Sequence, residues 1–361
     1  MSGVRIIAEA GVNHNGDLSR AKALVDAASA AGASAVKFQT FKADLLATPA
    51  ADKAAYQKLT APGSESQLAM IRKLELSQAA FLELAEHCDR QGIEFMSTAF
   101  DSISLRFLHE RIGIRCFKIA SGELTNLPFL LEHARLAEHL IVSTGMATLE
   151  EIRQALGVIA FGMNVQQHAD ARASLECFDA AYDEAGKTGF LKDKVTLLHC
   201  TTEYPAPIDQ INLSAMSSIR QQFSLPVGYS DHTLGLTIPV AAVALGACVI
   251  EKHFTLDRTL PGPDHAMSLD PQQLASMVTA IKDTVSALGN GFKVPGSAER
   301  SNIDAVRKSL VASCAIRPGE AFTSDNLCMK RPGTGMPPAE YWNCLGRLSD
   351  RHYCKDEFIR P

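Results

Sequence analysis

The chain has no C-x-x-C pair. Its nine cysteines are scattered from Cys88 to Cys354, which excludes a zinc ribbon or a disulfide framework and leaves reduced thiols acting as small hydrophobes. A basic excess is also missing. Lys and Arg number 35 against 40 Asp and Glu, a formal net charge of −5, so no positive face is available for a nucleic acid. A small anion is still allowed, because a few lysines in a cleft bind one whatever the total charge. No apolar run approaches the ~20 residues that cross a bilayer. The N-terminal MSGVRIIAEAG enters a strand-like run at once, without the apolar segment and cleavage site of a leader, and a cytoplasmic location is expected. Glycine-rich phosphate turns are absent too. AEAGVNHNG after the first run is no G-x-G-x-x-G, and no Walker motif occurs, which removes the support for an open doubly wound sheet.

What is present is a rhythm. Eight β-rich runs, at 6–11, 34–40, 94–100, 116–121, 140–145, 196–201, 226–231 and 248–254, alternate with helical patterns. Apolar residues recur at helical spacing in Leu18–Ala31 and Gln78–Asp89, and Thr148 with Glu151 spells a capping box. Strands alternating with helices imply parallel pairing with right-handed crossovers. Eight such units within 1–288 predict a (β/α)8 TIM barrel. Residues 163–194 are polar and too long for an ordinary helix-to-strand connection. They read as a peripheral insertion on the N-terminal face, helical around Ala171–Ala185 and without catalytic role. Residues 289–302, rich in glycine and polar groups, read as a linker. Residues 303–361 then read as a small module of short strands and turns, with a helical patch at Pro338–Leu345. A module of that size is marginal alone and gains burial by docking.

Each run begins apolar and finishes in groups able to do chemistry. The ends carry Glu9 and His14, Lys37 and Gln39, Thr98, Lys118 with Ser121 and Glu123, Ser143, His199 with Thr202, Ser230 with His232, and Glu251 with His253. In a barrel these ends converge on one mouth, where such enzymes keep their active sites. His232 and His253, on adjacent strands, suit a divalent ion such as Mn2+, Zn2+ or Co2+; a hydrogen-bonded histidine pair is the bland alternative. Two protein ligands leave positions for water and substrate. Lys37 and Lys118 among hydroxyls describe a pocket for phosphate or carboxylate, with a Schiff-base lysine as the competing reading. Glu9 and Glu251 are candidates for proton transfer and for holding substrate hydroxyls, structural ion pairing being the alternative for Glu251.

At these residues the chain resembles the sialic acid synthases. The matching stretches include IIAEAGVNHNG, AVKFQTFKA, STAFD, FKIASGE, VSTGMAT, LLHCTTEYPAP, GYSDHTLG, IEKHFTLD and PGPDHAMS. GEAFTSDNLCMKRPGTG resembles the family's C-terminal antifreeze-like (SAF) module. The resemblance implies condensation of phosphoenolpyruvate with N-acetylmannosamine to give N-acetylneuraminate and phosphate. It implies that His232 and His253 hold the metal, Mn2+ first, with Mg2+ or Co2+ as alternatives. Lys37, Thr98, Lys118, Ser121, Ser143, Thr202 and Ser230 would bind phosphoenolpyruvate. Gln39, Tyr204, Glu251 and Asp264 would contact the acceptor sugar, and Glu9 would assist addition of water or of a sugar hydroxyl. It also implies a homodimer whose antifreeze-like module covers the partner's barrel, bringing Arg331 to the partner's sugar. Three alternatives stand beside it. One is a legionaminic acid synthase using 2,4-diacetamido-2,4,6-trideoxymannose, another a pseudaminic acid synthase, and the third a non-catalytic binding protein.

Overall fold

Eight parallel strands run β1 Arg5–Gly11, β2 Ala35–Thr40, β3 Glu94–Ala99, β4 Cys116–Ile119, β5 His139–Ser143, β6 Val195–Cys200, β7 Val227–Asp231 and β8 Val249–His253. They pair in the order β3-β2-β1-β8-β7-β6-β5-β4, and the terminal members β3 and β4 lie side by side. The result is the expected (β/α)8 barrel. It is seen in a computed structural model that describes residues 3–54, 57–58, 66–164 and 172–361. The chain divides into two compact units, Met1–Gly289 and Asn290–Pro361. No helix among the described residues is long and apolar enough to cross a membrane.

Alternation along each strand sorts the side chains into two environments. Outward residues such as Ile6, Ala8, Val36 and Phe38 join the large core beneath the helices. Inward residues near the strand starts (Ile7, Ala35, Met96, Ile141, Leu198 and Val249) form a separate apolar plug. Two residues further along the same strands the inward positions become Glu9, Lys37, Thr98, Ser143, Cys200 and Glu251. An apolar floor therefore supports a polar layer, and the period of two that makes the strand also builds the site.

The helices carry their own start and stop signals. Asp17 caps Leu18–Ala30 by accepting from Ser19 and Arg20 N–H, and the buried stripe Ala21, Leu24, Val25, Ala28 follows the helical period. Thr148 and Glu151 form the capping box of Leu149–Met163. Within 163–194 the described residues contain the helix Leu175–Thr188, whose Phe178 meets Phe161 edge-on. Ala171, where the sequence predicts that helix to begin, falls outside the described residues.

The second unit pairs β9 Ser309–Ala312 with β10 Leu327–Lys330, antiparallel. Its core is Leu310, Ala312, Ile316, Phe322, Leu327, Cys344, Tyr353 and Ile359. One expectation is corrected here. The second half of the segment read as a linker is the helix Ser297–Val306. Its glycines and prolines end at Gly296; from Ser297 onward SAERSNIDAV holds none, and Glu299 accepts the Gly296 N–H at 3.1 Å.

Candidate active site

Strand register sets the polar layer. Glu9 of β1 stands level with Lys37 on one side and with His253 on the other. Lys37 Nζ lies 2.7 Å from Glu9 and 3.6 Å from Glu251, and donates to Thr98 Oγ1 at 3.1 Å. Lys118 Nζ is 3.3 Å from Glu251. Glu251 also accepts from Ser230 Oγ at 2.9 Å, and Gln39 donates to Glu9 at 3.3 Å. These four charges are buried, which is tolerable only because they pair. Gly11, in a left-handed conformation with φ 53°, ends β1 at a register shift. A Cβ there would meet Glu9, Gln39 and His253 at 3.3–3.5 Å.

The two carboxylates are pushed apart in acidity. Burial raises Glu9 to about 7, Lys37 opposing and Glu251 adding to the rise. Burial acts on Glu251 too, but Lys118, Lys37 and the Ser230 hydroxyl outweigh it and hold that carboxylate at about 2. Burial also lowers Lys118, with Glu251 offsetting part of it. Glu251 is thus the fixed anion of the site, and Glu9 is the group that exchanges a proton near neutrality.

His232 and His253 face one another with ring centroids 5.6 Å apart. His232 Nδ1–H donates to the Thr201 carbonyl at 2.7 Å, which directs the lone pair of Nε2 into the cavity. Burial disfavours charge on this ring, yet Cys200, 3.7 Å away, and the Thr201 carbonyl raise its pKa; a metal would compete with the proton for Nε2. Nδ1 of His253 is buried without a hydrogen-bond partner, and burial holds that ring well below its ordinary pKa. A neutral imidazole with an uncommitted nitrogen beside an oriented one fits a divalent ion. Among the described residues no group of three or more His, Cys, Asp or Glu forms a metal cage, so such an ion would have two protein ligands. Tyr204 tilts over His232 at 4.1 Å between centroids, and Asp264, raised to about 6 by burial, lies 4.0 Å from His253 Nδ1.

All these groups open into one cavity of about 320 Å3. Of the site residues taken from the sequence, Glu9, Lys37, Gln39, Thr98, Lys118, Ser121, Ser143, Thr202, Tyr204, Ser230, His232, Glu251, His253 and Asp264 line it. Ser143 Oγ and Thr202 Oγ1 are buried with no hydrogen-bond partner, as hydroxyls awaiting an anion would be. Arg331 follows β10 in the second unit and is exposed. Three strand-end residues lie elsewhere. His14 accepts from Gly16 N–H, Glu123 accepts from Asn126, and His199 donates to the Ile211 carbonyl at 2.7 Å.

Residues 41–76 carry no site candidate that the sequence pattern marks. This connection after β2 contributes the helices Ala43–Leu46 and Gln67–Leu74, and with them Phe41, Leu46, Gln57, Gln67, Met70, Ile71 and Leu74 of the cavity lining. The available signal was its length, the same anomaly that marks 163–194. Being a strand-to-helix connection, it falls on the mouth side.

The sequence model of the NeuB family matches residues 24–293. The chain is 48% identical over 355 residues to the N,N'-diacetyllegionaminic acid synthase of Campylobacter jejuni, covering 98% of each chain. It is 46% identical to the N,N'-diacetyllegionaminic acid synthase of Legionella pneumophila, covering 95% of this chain and 90% of that one. The crystal structure of the N-acetylneuraminic acid synthetase of Leptospira borgpetersenii superimposes with a TM-score of 0.65 at 33% identity, over 84% of this chain and 90% of that one. A family match across most of the barrel, together with relatives aligned nearly end to end, leads to one conclusion: this chain belongs to the NeuB family.

Proposed function

We propose that this protein condenses phosphoenolpyruvate with 2,4-diacetamido-2,4,6-trideoxymannose, giving N,N'-diacetyllegionaminic acid and phosphate. The resemblance alone implies N-acetylmannosamine as acceptor; near end-to-end likeness to two N,N'-diacetyllegionaminic acid synthases favours the diacetamido sugar instead. The observation that carries the chemistry is one cavity holding Lys37 and Lys118, the unpartnered hydroxyls of Ser143 and Thr202, and the uncommitted nitrogen of His253.

In the reaction, C3 of phosphoenolpyruvate attacks the open-chain aldehyde, water adds at C2, and phosphate departs by cleavage of its C–O bond. Lys37 and Lys118 face a substrate bearing carboxylate and phosphate. Glu251 neutralises one lysine charge permanently, whereas Glu9 neutralises the other only when ionised, so the pocket gains positive charge as Glu9 protonates. Near neutrality Glu9 is suited to take the proton of the water that adds at C2. His232 and His253 would hold a divalent ion, Mn2+ first; when bound it supplies Lewis-acid polarisation of the aldehyde.

The second unit is proposed as an antifreeze-like module that covers the barrel of a partner copy in a homodimer and carries Arg331 there. Exposed Trp342 and Leu348 on that unit, and exposed Met146, Ile208 and Leu234 on the first, support a covering surface.

The test is phosphate release from phosphoenolpyruvate with each acceptor, with and without Mn2+. The diacetamido sugar should be used best, and label in the bridging oxygen should leave with phosphate. Label retained by the sugar acid overturns the chemistry; no release with any acceptor favours a binding protein.

A further inference from the structure

The cavity is divided by chemistry. His232 directly follows β7 and His253 ends β8, while Lys118, Ser121, Ser143 and Thr202 stand on or just after β4 to β6. Past the polar layer of Glu9, Lys37, Gln39 and Thr98, the wall that continues from the ends of β1 to β3 is apolar. Val12, Phe41, Leu46, Ile71, Leu74 and Phe100 pack there as a cluster of their own, separate from the barrel core, and all six line the cavity. Met70 joins them from the neighbouring turn of Gln67–Leu74. Gln57 and Gln67, among these apolar residues, bond to one another at 3.2 Å, and Gln39 of β2 donates to Glu9. Leu46, Ile71 and Phe100 are only half-buried by the protein, so a ligand can complete their burial.

We infer that this wall receives the deoxygenated C6 end of the acceptor, with Leu46, Met70 and Ile71 as the residues that select a methyl group there over a hydroxymethyl. The inference rests on the proposed synthase activity and specifies which part of the acceptor meets which part of the site. With the aldehyde near the histidines and phosphoenolpyruvate on the lysines of the polar layer, the non-reacting end of a six-carbon chain extends to the apolar residues beyond the ends of β1–β3. A C6 hydroxyl packed on the side chains of Leu46, Met70 and Ile71 would lose its water and gain no partner from them. A methyl group there is simply buried.

The experiment compares N-acetylmannosamine with its 6-deoxy analogue, which differs only in the C6 oxygen, using kcat/KM for each with the full-length protein. The wild type should prefer the 6-deoxy sugar by about 10- to 100-fold, the scale on which an apolar pocket discriminates. Met70→Gln should narrow that ratio at least about tenfold, mainly by raising KM for the 6-deoxy sugar, with KM for phosphoenolpyruvate unchanged. Ile71→Thr, at a half-exposed position, should narrow it in the same direction and serves if Met70→Gln does not fold. Equal use of both sugars by the wild type, or an equal loss on both in the variants, overturns the assignment. A preference that appears only when a 4-acetamido group is added overturns it too, by placing that group's methyl against the wall. Absence of phosphate release with every acceptor removes the synthase reading and this inference with it, an outcome distinct from turnover without discrimination.

Discussion

Lys252 of β8 lies 2.5 Å from the carboxylate of Asp231 on β7, the two side chains 1% and 0% exposed. They sit on the outer side of strands whose inner side carries Ser230, Glu251 and His253, with His232 just past the end of β7. The same ammonium donates to the Thr233 carbonyl, and Asp231 accepts from Thr233 N–H and Oγ1 at 3.0 and 3.1 Å. Both neighbours of His232 are thereby tied to the strand that holds His253. Removing one partner strands the other as a buried charge, a loss of about 3–5 kcal/mol. Asp231→Asn and Lys252→Met should each lower the urea midpoint accordingly, and Asp231→Leu combined with Lys252→Met should recover much of the loss. Additive losses in the double variant would show that the pair acts separately.

Glu9 gives the site its pH dependence. With its pKa raised to about 7 by burial, it is protonated below neutrality and ionised above. Acting as the base toward water, it makes kcat rise through about pH 7. Glu9→Gln should remove that limb and lower kcat by about 10²- to 10⁴-fold. The linkage runs the other way. A carboxyl that holds its proton to higher pH in the folded state stabilises the fold below its unfolded pKa, and the contribution fades as pH rises toward about 7. A rate profile in Glu9→Gln that still rises through neutrality would assign the limb to another group.

The barrel and most of its mouth were legible because one periodicity encodes both. A strand that alternates and starts apolar places Ile7 in the floor and Glu9 above it, and the same holds for Ala35 and Lys37. His14 and His199 obeyed the sequence rule yet lie away from the cavity. His14 follows β1 and accepts from Gly16 N–H, and His199 of β6 bonds the Ile211 carbonyl, directions that composition does not reveal. Residues 41–76 were missed for the opposite reason. Their apolar side chains carry no chemical signature, and only the fold brings them into the cavity that holds the histidines. The preference among acceptors depends on that wall, so strand-end residues alone left it open.

His133 offers a pH effect far from catalysis. Burial in the helix Leu127–Leu136 lowers its pKa to about 4, its Nε2 has no hydrogen-bond partner, and Phe129 and Phe117 stand edge-on to the ring. The unfolded chain takes up a proton near 6.5 that the folded chain refuses until about 4. Stability is therefore intact above pH 6.5 and falls as pH drops through that window, by up to about 3 kcal/mol. His133→Leu should be less sensitive to acid than the wild type over pH 4–6.5 in chemical denaturation. Parallel curves for the two proteins would place the acid sensitivity elsewhere.

Gly145 tests the anion pocket without touching a charge. Its N–H donates to Ser121 Oγ at 3.0 Å. An added Cβ would stand 2.8 Å from that oxygen and 3.2 Å from Ser121 Cβ, and closer still to Thr202 Oγ1. The φ of Gly145 is not positive. Alanine therefore brings no left-handed strain, and the contacts of its Cβ fall on the two hydroxyls. Both would have to turn or retreat, and hydrogen bonds from them to a charged ligand are worth about 1.5–3 kcal/mol each. Gly145→Ala should raise KM for phosphoenolpyruvate by at least about tenfold, while KM for the acceptor and the urea midpoint change little. If KM for phosphoenolpyruvate stays at its wild-type value, Ser121 and Thr202 do not bind that substrate. Lys37 and Lys118 would then hold it with Ser143 alone on that side of the cavity.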